Sequence, residues 1–400
     1  MKTVKIVLIT ILCGLIVFLG VILGLNVRGG NDSYRGFGRP YALAKEWEMP
    51  ASEIESLYVN YSMNSNDVYL YEGTGENIVV REYTNFTGKE EWLSGVEQEG
   101  SALVIRGQRR HHGFFLIGGS WEDAYIEIYL PSALLTEMKI VTTSGGIRSE
   151  RELTVAGSFS AESSSGDIYF PKITAEKITA SASSGGITFD YAAGTVSAQA
   201  SSGDICFREI AGDAEISTSS GEITVERING SADFSASSGD IRLRHAEGDV
   251  TISTSSGEIQ VLGGSGARII SASSGSITLA DVNGRFDLRT TSGEIRLENG
   301  NGYGEAEASS GDIGIHLDRL EGDLDIDTTS GEVRLSIPAD ISFSFAFSSA
   351  SGECGTFFDD SLSYDRRGTS ARGNYGSSPD LDIRIATSSG DAQVRSSTKP

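Results

Sequence analysis

Apolar and polar residues alternate along most of the chain with a period of two, the pattern of strands that bury one side. One stretch places Ala214, Ile216 and Thr218 on one side, then Ile223 and Val225 after Gly221. The next gives Ala232, Phe234 and Ala236, then Ile241 and Leu243; a third gives Val250, Ile252 and Thr254, then Ile259 and Val261. A recurring word, Ser201-Ser202-Gly203-Asp204-Ile205, separates them. Its glycines Gly185, Gly203, Gly221, Gly239, Gly257, Gly275, Gly293 and Gly311 follow one another every 18 residues. A second set, Gly194, Gly212, Gly230, Gly248, Gly266, Gly284 and Gly302, lies 9 residues further on. Two short strands and two glycine turns therefore make one coil, and a fixed period of this kind marks a stacked repeat.

One such coil cannot bury its apolar row alone. Stacked at about 4.8 Å per step, identical coils pair their backbone N–H and C=O groups and close a continuous core. The predicted fold is all-β: a parallel β-solenoid (β-helix) with about 18 residues per coil, plus one N-terminal transmembrane helix. The period-two pattern excludes a helical solenoid. No apolar residue recurs every six positions, so the coil is two-faced rather than a hexapeptide β-helix. Ile205, Ile223, Ile241 and Ile259 should form one interior column. Glycine is expected at the turns for its tolerance of positive φ. A finer rhythm runs through the array: Ala200, Thr218, Ala236 and Thr254 alternate, as do Asp204, Glu222, Asp240 and Glu258. Tandem duplication of a two-coil unit explains this, as does small-against-large packing at a narrow corner.

In chain order, residues 1–5 read as a cytoplasmic N-terminus. Residues 6–25 form an apolar run long enough to cross a bilayer, preceded by Lys2 and Lys5 and without a small-x-small cleavage site. It reads as an uncleaved signal anchor, with a cleaved signal peptide as the alternative, and the rest of the chain is expected outside the cytoplasm. Residues 26–50 read as a polar stalk and 51–139 as irregular N-terminal coils that cap the core. The regular solenoid spans 140–355. Residues 356–380 read as a loop, 381–395 as a C-terminal capping coil ending in a last motif copy at Gly390, and 396–400 as a tail. Gly107 to Ser120, with Arg109-Arg110-His111-His112, reads as a loop insertion.

Composition narrows the partners. The formal charge of −23 argues against nucleic acid and anionic lipid surfaces, which call for a basic face. Aromatic residues are only 8% of the chain and glycines number 49, which suits a thin β-array. Cys206 falls at an outward slot and Cys354 at an inward one, many coils apart, so both should be free thiols.

The search for chemistry yields a surface rather than a catalytic constellation. Asp204, Glu222, Asp240, Glu258, Glu294, Asp312 and Glu332 should line one edge at coil spacing. Arg242, Arg296 and Arg334, two residues past acids, should salt-bridge them; a calcium array is the alternative. The one Gly-Gly-x-Gly, Gly263 to Gly266, leads to Arg268 where the calcium nonapeptide places Asp. Acids spread evenly by repetition do not converge as general acid–base catalysis demands. The histidines His111, His112, His245 and His316 show no triad setting. No catalytic, cofactor or metal residue is assigned, and a non-enzyme is expected. Hydroxyls do line up. Ser217, Ser235, Ser253 and Ser271 should form one outward column. Beside it stand Ser201, Ser219, Ser237, Ser255, Ser273, Thr291, Ser309 and Thr329. Solvated filler explains such a face; so does docking of a sugar, cell wall or partner protein on a flat, weakly charged surface.

At these repeated words the chain resembles the bacterial putative-adhesin family, a domain family of unknown function built from Ser-Gly-Asp/Glu-Ile β-strand repeats. The resemblance runs from about Ile54 to Val394 and includes Ile128-Tyr129-Leu130-Pro131 before the first motif. It implies a β-solenoid, membrane-anchored in many members, often beside envelope-stress systems, and brings no catalytic residues. The expected protein is a membrane-anchored extracytoplasmic scaffold for binding, adhesion or envelope sensing. Its expected partners are the membrane through residues 6–25 and a cell-wall glycan or an envelope protein. A self-assembling structural protein and a polysaccharide-active β-helix enzyme are the alternatives.

Overall fold

The computed structural model describes residues 40–63, 65–86, 90–108, 123–132 and 135–397. The segment 6–25, most of the proposed stalk and loop residues 109–122 lie outside the described residues. Among those described, no helix is long and apolar enough to cross a membrane.

The parallel β-solenoid is present, with about 18 residues per turn. Each coil contributes one strand to each of two parallel ladders. In the first, Ile187, Ile205, Ile223, Ile241, Ile259, Ile277, Ile295 and Ile313 are successive register partners, each fully buried. Two residues on runs a second inner column, in which Phe189 and Phe207 stack at 5.1 Å and 2°. In the second ladder Ile216, Phe234, Ile252, Ile270 and Leu288 align in the same way. Like side chains thus meet like along the stack. Each buried aliphatic contributes about 1.5–3 kcal/mol relative to exposure.

The motif glycines are required by close approach rather than by dihedral angle. A Cβ on Gly239 would fall onto the carbonyl oxygen of Gly221, one coil below, and its φ is not in the left-handed region. The expectation of positive φ holds at some midway turns, such as Gly212 at φ 145°, and at the motif glycine Gly311, at φ 150°.

The alternating rhythm has a hydrogen-bond cause. Asp204 Oδ1 accepts the amide of Glu222 at 2.8 Å, and Asp240 Oδ1 that of Glu258 at 2.9 Å. At the opposite turn, Asp213 and Asp249 accept from Ser231 and Ala267 in the same way. The buried Thr218 hydroxyl accepts from Gly221 N at 3.1 Å and donates to Gly203 O at 3.5 Å. One Asp and one Thr therefore tie two successive coils together at this corner.

Both ends depart from sequence order. Strand Asp67–Glu72 lies between Ala124–Leu130 and Ile147–Ser149, all parallel. It carries an unrecognised motif copy: Asp67 Oδ1 accepts from Gly146 N at 2.7 Å, and Val68 partners Ile147. At the other end, strand Leu381–Thr387 lies between Ile313–Ser330 and Phe343–Ser349. Residues 381–395 are thus one layer in from the end. The closing layer is 343–356, and its strand Phe343–Ser349 is edged by antiparallel Ser370–Tyr375 from the segment expected to be loop. Part of the expected stalk is likewise a strand: Ala42–Pro50 pairs antiparallel with Asn77–Thr84, resting Trp47 and Met49 on the core. Antiparallel strands at the ends stop open-ended edge pairing.

Candidate functional site: the hydroxyl face

The second ladder presents its odd-numbered residues 215 and 217, and their equivalents, to solvent. Ser217, Ser235, Ser253 and Ser271 are successive register partners. Parallel pairing fixes their spacing at about 4.8 Å per coil. At the adjoining turn, Ser201, Ser219, Ser237, Ser255, Ser273, Thr291, Ser309 and Thr329 are all exposed. Their backbones are anchored one coil below, as in Ser237 N to Thr218 O at 3.2 Å and Ser273 N to Thr254 O at 3.1 Å. The structure therefore brings the whole predicted set onto one side of the stack, on a backbone hydrogen-bonded to the coil below.

The face is not weakly charged throughout. The serine column continues through Arg289, Glu307 and Asp327. Beside it runs Glu215, Asp233, Thr251, Ile269, Asp287, Glu305 and Asp325. Neutral ground lies in the middle coils, where Thr251 and Ile269 stand beside Ser253 and Ser271, and again before Glu215, where Ser197 and Gln199 follow Thr179 and Ser181. Ile269 is 52% exposed, unusual for an aliphatic side chain in this fold. Arg289 closes one border by bonding Asp287 at 2.7 Å, Glu305 at 3.1 Å and Glu307 at 3.1 Å. Asp327, beyond it, is held above the ordinary carboxylate range by burial and by Asp325 and Glu307. Thr251 and Ile269 are reached by the same 18-residue spacing from Glu215, so the signal for them was present.

The acidic edge is engaged internally. Asp204, Asp240 and Asp312 accept backbone amides of the next coil. Arg242 bridges Glu222 and, at 3.1 Å, Asp240, and the Arg242 hydrogen bond draws the Glu222 carboxyl below its usual range. Arg334 pairs with Glu332 and, at 3.6 Å, Asp312. Arg296 turns instead to Glu298 at 2.6 Å. Among the described residues no group of three or more His, Cys, Asp or Glu side chains is placed to hold a metal. Cys206 and Cys354 are free.

Arg268, read only as a break in the calcium pattern, is an interior residue. It occupies an inward column between Val250 and Phe286 and is 1% exposed. Its guanidinium donates to Gly248 O at 2.9 Å, Ala246 O at 3.1 Å and Ser265 O at 3.2 Å, while Nε has no partner. It caps carbonyls of two successive turns from inside.

A second outward feature was invisible in the repeat. Near the N-terminal layers, Tyr83 stacks on Tyr125 at 4.8 Å and Tyr71 on Tyr129 at 5.3 Å. Tyr69 meets Tyr125 edge-on at 5.7 Å, and Arg81 lies over Tyr129 at 4.8 Å. Burial, then Glu127, pushes the Tyr125 hydroxyl up to about 12. The rings pack on one another and are half-buried.

These features define a two-faced parallel β-solenoid with strand-covered ends and repeat-built outer faces. The chain belongs to the Toastrack DUF4097 family, whose model matches residues 54–263 and 248–395. No curated protein matches it. Among solved structures it is similar to a "putative cell adhesion protein" from Clostridium sporogenes ATCC 15579, at 9% identity and a TM-score of 0.17, over 88% of this chain and 99% of that one.

Proposed function

We propose that this protein is a non-catalytic scaffold of the bacterial envelope, anchored by residues 6–25 with its solenoid outside the cytoplasm, that binds a cell-wall glycan or an envelope protein. The observation that carries the reading is the in-register hydroxyl column Ser217–Ser235–Ser253–Ser271, with exposed Ile269 beside it and charged borders. Repeated hydroxyls can exchange hydrogen bonds with a repeating polar polymer, and an exposed aliphatic supplies apolar contact. The internal engagement of the acidic edge favours a structural role for those carboxylates over acid–base work.

The test is a pull-down of the ectodomain on cell-wall material, comparing the native chain with Ser237→Arg and Ser255→Arg. Loss of retention in correctly folded variants supports this face. Unchanged retention removes it. Product release from a glycan panel would favour the enzyme reading, and filaments without a ligand would favour self-assembly. The antiparallel strands covering the ends speak against end-to-end stacking of coils.

A further inference from the structure

Residues 313–337 are followed in the chain by 343–356, yet the two layers are not hydrogen-bonded partners. The last strands of the chain, Leu381–Thr387 and Ala392–Ser396, lie between them. We infer that this C-terminal segment is exchangeable, and that a second copy of the chain can supply it to form a segment-swapped dimer.

The first argument is topological. The segment is terminal, so it can leave its slot without breaking another crossover. It is joined to the rest only through 376–380, all exposed, with Gly376 at φ 85°. Those five residues carry the chain across one end of strand Phe343–Ser349. Phe343 partners Tyr375 on one edge and Leu381 on the other. Swinging the segment outward asks for change at this link alone.

The second argument is specificity. The slot is shaped for this segment. A Cβ on Gly390 would strike Gly331 O, and a Cβ on Gly352 would strike Gly390 O, so only a strand with glycine at that point fits. Side chains fix its register: Asp382 N donates to Asp323 Oδ1 at 2.9 Å, Glu353 N donates to Asp391 Oδ1 at 2.9 Å, and Arg384 lies 3.4 Å from Asp325. Ile383, Ile385, Ala392 and Val394 are at most 2% exposed. A foreign strand would need all of these at once, whereas a second copy supplies them by identity. Swapped and unswapped states then share every contact outside the link, which is the condition for low-cost exchange of an identical element.

The test uses the full chain. Cys354 and Ala392 are cross-strand partners. One copy carries Ala392→Cys with Cys354→Ser; the other keeps Cys354; both carry Cys13→Ser and Cys206→Ser. The copies are mixed, held in mild urea, returned to buffer and oxidised. A disulfide-linked heterodimer is expected, and its share should rise about tenfold for a tenfold rise in concentration while it is the minor species. Native mass spectrometry of the unmodified chain after the same treatment guards against a variant that fails to fold. Monomer alone in that experiment, at every concentration, overturns the proposal. A noncovalent dimer that persists when residues 381–400 are deleted overturns it as well.

Discussion

Asp240 reaches across the gap between two coils, and its Oδ1 accepts the backbone amide of Glu258 at 2.9 Å. Glu258 is the equivalent of Asp240 one coil later. The Asp side chain on one coil thus anchors the main chain of the Glu position on the next. Asp240→Ala should lower stability by about 0.5–1.5 kcal/mol, the usual net worth of one hydrogen bond. Asp240→Asn retains an acceptor oxygen and should lose less than half as much. Urea midpoints at constant slope measure both; equal losses would show that charge rather than the bond matters.

Gly239→Ala should be far worse. The new methyl has to occupy the place of Gly221 O. With backbone on both sides nothing can yield, and a loss beyond about 4 kcal/mol is expected, the range of severe steric or core lesions. Gly355→Ala is the control, because nothing lies within 4 Å of its added Cβ. Thermal melts of the pair suffice. A mild Gly239→Ala phenotype would show that the coils can separate locally.

Arg268 separates packing from capping. Arg268→Ala leaves both a cavity and uncapped carbonyls and should cost about 2–5 kcal/mol. Arg268→Met refills the volume and relieves the unpartnered Nε, so it should cost less than half of that. If both variants lose the same, the hydrogen bonds to Ala246, Gly248 and Ser265 hold these turns, and volume is secondary.

The two thiols should react at different rates. Burial, then Asp359, pushes the Cys354 thiol up to about 12. Burial, then Glu226, also raises Cys206. Thiolate is the reactive form, so alkylation near pH 8 should label Cys206 first. The sign for stability follows: the raised Cys354 value stabilises the fold below the ordinary thiol value of 9.0, and that contribution is lost as pH climbs from there to about 12. Mass-resolved labelling between pH 7 and 10 checks the order; faster modification of Cys354 would refute its burial.

Much of this was legible from local pattern. The Ile205 column, the two-strand coil and the hydroxyl ladder all follow from an 18-residue period, because a parallel in-register stack places like residues over like. Trp47 and Met49 alternated in the segment read as stalk, so that strand was also within reach. The copy at Asp67-Val68 went unseen because Asn66 stands where the motif has glycine. The Tyr83–Tyr125 stack went unseen because an antiparallel strand, outside any repeat, brings the two rings together.

The chain alone determined the coil: which residues face inward, where the chain bends, and which hydroxyls share a side. It did so because each of these depends on residues within one period. Layer order at the ends was decided by tertiary structure. Phe343-x-Phe345-x-Phe347 and Leu381-x-Ile383-x-Ile385 carry the same alternating pattern, so either could pair with Leu324–Thr328. The choice falls to contacts remote in sequence, such as the Asp323 carboxylate on the Asp382 amide and the antiparallel partner that occupies the far edge of Phe343–Ser349.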